Sequence, residues 1–275
     1  MIKIFLTVRN RLSITKKCLH ALKKHSTIAH KIYVYDNQTN HLLKEHFDYF
    51  HKLYEKKYIS QITFGSDDSN FNAFSKATSC NFFGQQHEQD PKKDEYNFLV
   101  MLDNDIIVTP GWDAILHKAW THVAKYKMKN IKVIGQLPGG IKYTTENVDI
   151  GSMKGRVGKL GGSGLWSVRP NFFRDIGYLD LKRLVGHDKK HDQLYWQLIE
   201  QATNGASYIM GLDQKLGIHC GRQAGSVCNR LTRNKADKHK LEKIKFKEPE
   251  EIIGATDFDT FFKEIYNDKK LLNDW

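Results

Sequence analysis

No stretch of this 275-residue chain approaches the ~20 consecutive apolar residues that a membrane-spanning helix needs. The opening MIKIFLTVRNR turns charged at Arg9, too early for the apolar core of a secretory leader, so the expectation is a cytoplasmic protein. Cysteine is sparse: Cys18, Cys80, Cys220 and Cys228 stand far apart, with no CxxC pair. That spacing excludes a disulfide framework and any standard zinc module, and fits reduced thiols. Negative charge is in deficit, with 31 acids against 43 lysines and arginines. A net charge of +12 and a pI near 9.3 bias the protein towards polyanions: nucleic acid, an anionic membrane or a phosphorylated substrate. The cluster Gly161-Gly162-Ser163-Gly164 has no Gly-Lys-Ser/Thr ending, so close backbone packing explains it better than a phosphate cradle.

What is present is an alternation of strands and helices. Lys3–Val8 and Lys31–Tyr35 are apolar, β-branched strands around an amphipathic helix that carries Ile14, Cys18, Leu19 and Leu22, with Ser13 as its expected cap. This is a βαβ unit. A helix over 42–58, a strand over 59–64 and a helix starting within 70–80 follow, then a polar loop over 85–95. Trp112–Lys127 reads as a helix whose tryptophans belong to the core, and 131–134 as a strand. Glycine-rich irregular strands and loops are expected over 136–164, a helix start at Asn171 and an amphipathic helix over 193–199. Lys215–Lys247 holds ten lysines and arginines against two acids, and 248–275 holds eight acids against three lysines, with Phe258, Phe261, Phe262 and Ile265 suggesting a docked helix.

The chain is organised around YNFLVMLDNDIIVTPG, residues 96–111. Phe98–Leu102 is the unbroken apolar run of a strand buried on both faces of a parallel sheet. Asp103 and Asp105 follow it, where open α/β sheets bind ligands. At i and i+2 they point the same way if the chain is still extended. Buried together they need a cation, and Mg²⁺ or Mn²⁺ that also holds substrate phosphates is the economical one. The alternative is a solvated Asp/Asn turn.

Taken in order, these pieces resemble the GT-A class of nucleotide-sugar glycosyltransferases, in particular the family 2 group, over roughly residues 1–225. TVRNRLSITKKCLHAL resembles that group's first strand and helix, and YVYDNQTN its second strand. Asp103-Asn104-Asp105 resembles its DXD motif, GGSGLWSVRPNFFRDIGYLD the segment shaping the acceptor side, and HDQLYWQL the start of the helix that carries the catalytic base. The usual Glu-Asp pair is His191-Asp192 here, and the nucleotide-contacting pattern after the third strand is met only loosely by Asn70-Phe71-Asn72.

The resemblance implies a single α/β domain of GT-A, Rossmann-like fold with a mostly parallel sheet. Its catalytic domain would span 1–247, with a nucleotide-binding half to about 110 and an acceptor half beyond, followed by the tail at 248–275. It implies a nucleoside diphosphate sugar donor, a UDP-sugar by preference, contacted by Thr7, Arg9, Asn10, Asp36, Asn72 and Asp103. It implies Mn²⁺ (or Mg²⁺) on Asp105 and His219, with Asp103 nearby, and Asp192 as base, with Asp188 as the alternative. Gly162, Ser163 and Trp166 would shape the acceptor side, and Arg222, Arg230, Arg233 and Lys235 the route of a polyanion. Two acceptors stay open: a modified base in DNA, tracked through its phosphates, or a glycan or lipid-linked sugar at an anionic membrane. Nucleotidyl transfer would bring a glycine-rich basic loop that TVRNRLSIT does not contain. A non-enzymatic nucleic-acid-binding α/β domain would leave the acids as turn residues.

Overall fold

The computed structural model describes residues 1–8, 12–36, 43–65, 75–136, 146–159, 164–180 and 191–220. The chain opens β1 (Ile2–Val8), α1 (Leu12–His25), β2 (His30–Asp36), α2 (Leu43–Glu55), β3 (Gln61–Phe64), α3 (Ser75–Glu88) and β4 (Phe98–Asp103). It continues β5 (Ile106–Val108), α4 (Trp112–Lys125), β6 (Val133–Gln136), a hairpin of β7 (Glu146–Ile150) and β8 (Met153–Gly158), and β9 (Leu165–Val168). It closes with α5 (Phe172–Ile176), α6 (His191–Ala202), β10 (Ile209–Leu212) and β11 (Gly217–His219). Ser13 lies inside the first turn of α1, and α3 runs on through Glu88 into the expected loop.

Among the described strands, nine form one sheet in the order β3-β2-β1-β4-β9-β6-β10-β8-β7. Only β9 and β8 run against the rest, so the sheet is mostly parallel. The period of two along each strand builds a core on each face. Ile2, Ile4, Leu6 and Val8 of β1, with Phe98, Val100 and Leu102 of β4, pack into the layer of α1, α2 and α4. Phe5, Leu99 and Met101 look the other way, towards α3, α5 and α6. Trp112 and Trp120 are both buried, as their helical spacing predicts.

Lys3 breaks the apolar rule of β1 and is 1% exposed. Its ammonium reaches the Asp90 carboxylate at 2.7 Å and lies 4.4 Å from the centre of the Tyr33 ring. Burial pushes the Lys3 ammonium below its ordinary 10.5, against the pull of Asp90. Burial also acts to raise the Asp90 carboxyl, but hydrogen bonds from Lys3 and the Lys92 backbone outweigh it and hold it below 3.8. A depressed carboxyl contributes stability above its unfolded-state value, near 3.9, which is lost as pH falls through the folded one. Asp90→Asn should therefore flatten the acid limb of a thermal-stability profile below about pH 4. At neutral pH it should cost about 3 kcal/mol, because the Lys3 charge stays buried without its partner.

Candidate functional site at the carboxyl end of the sheet

Three strands deliver the expected residues to one end of the sheet. Asp103 ends β4 in register with Thr7, and Asp36 ends β2 in register with Val8. Asp103 and Asp36 thus stand two strand spacings apart, roughly 10 Å. Beyond Asp103 the chain does not stay extended. Asn104 and Asp105 form a turn, after which β5 leaves the main sheet and pairs antiparallel with β11.

Asn104 drives that turn. Its backbone N–H donates to the Thr7 carbonyl at 3.1 Å, and its buried Nδ2 to the Thr15 hydroxyl at 2.8 Å. The middle residue of the triplet is thus an anchor between β1 and α1, and the acids flank it. The Asp103 N–H donates to the Gly164 carbonyl at 2.9 Å. A Cβ at Gly164 would sit 2.9 Å from Ile106 Cδ1, so close packing is what this glycine provides.

β11 brings His219 opposite Ile106. Its placement depends on Gln136, at the end of β6, whose Oε1 accepts from the backbone N–H groups of Leu216 and Gly217 at 2.9 and 2.8 Å. His219 Nε2 then stands 3.3 Å from Asp105 Oδ1, and the Cys220 N–H donates to the Asp105 carbonyl at 2.8 Å. Beneath them lies the buried Cys18 of α1. Burial, with the negative charges of Asp105, Cys220 and Asp103, pushes its thiol well above 9.0, so both acids bear on one spot. Among the described residues Cys18, Cys80 and Cys220 are buried and none forms a disulfide.

The donor set suits a divalent ion. Two ligands bound cis on an octahedral centre at about 2.1 Å stand about 3 Å apart, close to the Asp105–His219 separation of 3.3 Å. Oxygen with imidazole is acceptable to Mn²⁺, whereas Mg²⁺ prefers an all-oxygen shell. Among the described residues no three His, Cys, Asp or Glu side chains are grouped closely enough to hold a metal ion by themselves. Substrate phosphates and water would complete the shell.

Two expected contacts are turned inward. Asp36 shares its face of β2 with Ile32 and Val34, which look into the α1–α2 layer. Its carboxylate lies 2.7 Å from His46 Nδ1, and neither side chain is exposed. Losing that hydrogen bond from a buried site costs about 1–3 kcal/mol, so Asp36→Ala should lower the melting temperature by several degrees, measured by calorimetry. The face that Asp36 occupies follows from strand alternation, opposite to Thr7 and Asp103. Trp166, expected on the acceptor side, is a core residue that is 2% exposed and packed edge-on to Trp196. The Thr7 hydroxyl is hydrogen-bonded to Ser79 of α3 at 2.9 Å.

Asp192 is the second residue of α6. Asn81 of α3, which sequence reading missed, ties Leu179, beyond α5, to Tyr195 of α6. Asn81 donates to the Leu179 carbonyl at 2.8 Å and accepts from the Leu179 N–H at 3.1 Å and the Tyr195 hydroxyl at 2.8 Å. Arg9, Asn10, Asn72, Gly162, Ser163, Asp188, Arg222, Arg230, Arg233 and Lys235 lie outside the described residues, as does the tail at 248–275.

The mannosyltransferase PcManGT from Pyrobaculum calidifontis, solved with GDP-Man and Mn²⁺, superposes on 84% of this chain with a TM-score of 0.55 at 8% identity. The fold is GT-A-like. S. aureus TarS 1–349 in complex with UDP matches 78% of the chain at 14% identity and a TM-score of 0.49. The chain spans 60% of the mannosyltransferase and 59% of that TarS fragment. No protein-family model and no curated protein matches the sequence. Among the described residues no helix is long and apolar enough to cross a membrane.

Proposed function

We propose that this protein is a metal-dependent, inverting glycosyltransferase. It moves a sugar from a nucleoside diphosphate sugar, a UDP-sugar by preference, to an acceptor hydroxyl. The observation that supports this reading best is Asp105 standing 3.3 Å from His219 just beyond a central strand that ends in Asp103, in a GT-A-like sheet. Asp105 and His219 would hold the ion, with Asp103 on the ion or the ribose. Bound there, a divalent ion supplies Lewis acidity to the departing diphosphate. Asp192 takes the proton of the acceptor hydroxyl as its oxygen bonds to the anomeric carbon. The bond from that carbon to the diphosphate oxygen breaks on the opposite face, which inverts the centre.

For the acceptor we favour a polyanion, a hydroxymethylated pyrimidine in DNA. The support is the basic run after His219, with Arg222, Arg230, Arg233 and Lys235. Binding to duplex DNA should weaken steeply with salt, and neutralising two of these residues should flatten the slope by about 2. No duplex binding at low salt would remove the DNA version, leaving a glycan or lipid-linked saccharide as acceptor.

A further inference from the structure

The sheet carries a second concave site, at the end away from Asp103. A cavity of about 460 Å³ lies between the last turn of α4, the turn that follows it, and the junction of β9 with α5. That volume falls in the range of small-molecule sites. Arg169, on its wall, follows Val168, whose register partner is Leu99 at the start of β4. Four residues of strand, at least about 13 Å, separate that level from Asp103.

Its lining is two-sided. Met128, Ile131, Phe172 and Ile176 provide apolar wall, while Lys127, Lys129, Lys132 and Arg169 bring four cations. Among the described residues none of the four is within ion-pair distance of a carboxylate. The acid on the wall, Asp175, is engaged by Asn171 and Arg174. The Arg169 guanidinium lies 5.2 Å from the centre of a Trp120 ring, a contact that holds a flexible side chain in place. Lys127 and Lys129 follow the carboxyl end of α4, where the helix dipole already favours cations. Lys132 and Arg169 come from other segments, and that dipole does not account for them. Four like charges around one apolar cavity repel, and an anion seated among them relieves the repulsion.

We infer that this cavity binds an amphipathic anion, an apolar or aromatic body bearing a phosphate or carboxylate. The body fills the space against Ile131 and Phe172, and the anionic group sits at Lys132 and Arg169. This inference stands apart from the donor reading, because it uses none of the residues at the carboxyl end.

The probe is 1-naphthyl phosphate, titrated calorimetrically into the full chain. One saturable site is expected, at least tenfold tighter than for 1-naphthol or inorganic phosphate, and unaffected by saturating UDP. Lys129→Gln with Lys132→Gln should weaken it at least tenfold at unchanged melting temperature. Ala124→Trp, which crowds the apolar wall, should do the same through shape alone. Unchanged affinity in both variants, or displacement of the probe by UDP, would overturn the assignment. Co-sedimentation with phosphatidic acid vesicles that the double lysine variant loses would identify the anion as a lipid headgroup. Soluble binding without such co-sedimentation would identify a free metabolite.

Discussion

Asp105→Ala is expected to lower nucleotide-sugar turnover by at least about 10²-fold while the protein stays folded. The carboxylate stands 3.3 Å from His219 Nε2, on a turn that Asn104 anchors to Thr7 and Thr15. Its removal should therefore leave the turn in place. His219→Ala should lose less, since an imidazole is the more replaceable ligand of a hard cation. The fingerprint is a shared metal dependence: both variants should need more Mn²⁺ for half-maximal rate. Wild-type turnover that persists fully in EDTA would remove these residues from a metal role. An effect of Asp103→Ala confined to donor affinity would place that acid on the ribose or sugar.

Asp192→Asn carries the other large effect. The amide keeps the shape and removes the basicity, so transfer should fall by about 10²–10⁴, with donor affinity within twofold of the wild type. Calorimetric titration of the nucleotide beside a transfer assay separates the two quantities. A dead Asp188→Asn together with an active Asp192→Asn would move the base four residues upstream. An Asn81→Leu variant offers an independent check on the positioning of α6. It removes the bonds to Leu179 and to Tyr195 of α6, and should depress transfer while leaving donor binding intact.

The strands of the parallel half were legible because burial on both faces leaves unbroken apolar runs, as in Phe98–Leu102. The position of Asp103 and Asp105 beyond a central strand was legible because the acids follow such a run directly. Three features were not. Asp36 looks like a ligand by its place at the end of β2, but its face is set by the alternation of the whole strand, which turns it to His46. Asn104 is hidden between two acids, and only the packing of α1 against β1 shows it bonded to Thr15. Gly84 sits inside α3. A Cβ there would come 2.5 Å from Phe173 Cδ1, so the glycine is the point where α3 and α5 touch. Each of these depends on a contact between segments far apart in the chain, which no local pattern encodes.

The carboxyl end of β4 is proposed to hold a metal–nucleoside diphosphate sugar for transfer. The most direct test is incubation of the full chain with a panel of UDP- and GDP-sugars in Mn²⁺, with mass spectrometry of the released nucleotide. The expected result is release of nucleoside diphosphate from one donor, abolished by EDTA and by Asp105→Ala. Failure of the folded protein to bind or turn over any donor in Mn²⁺ would contradict it.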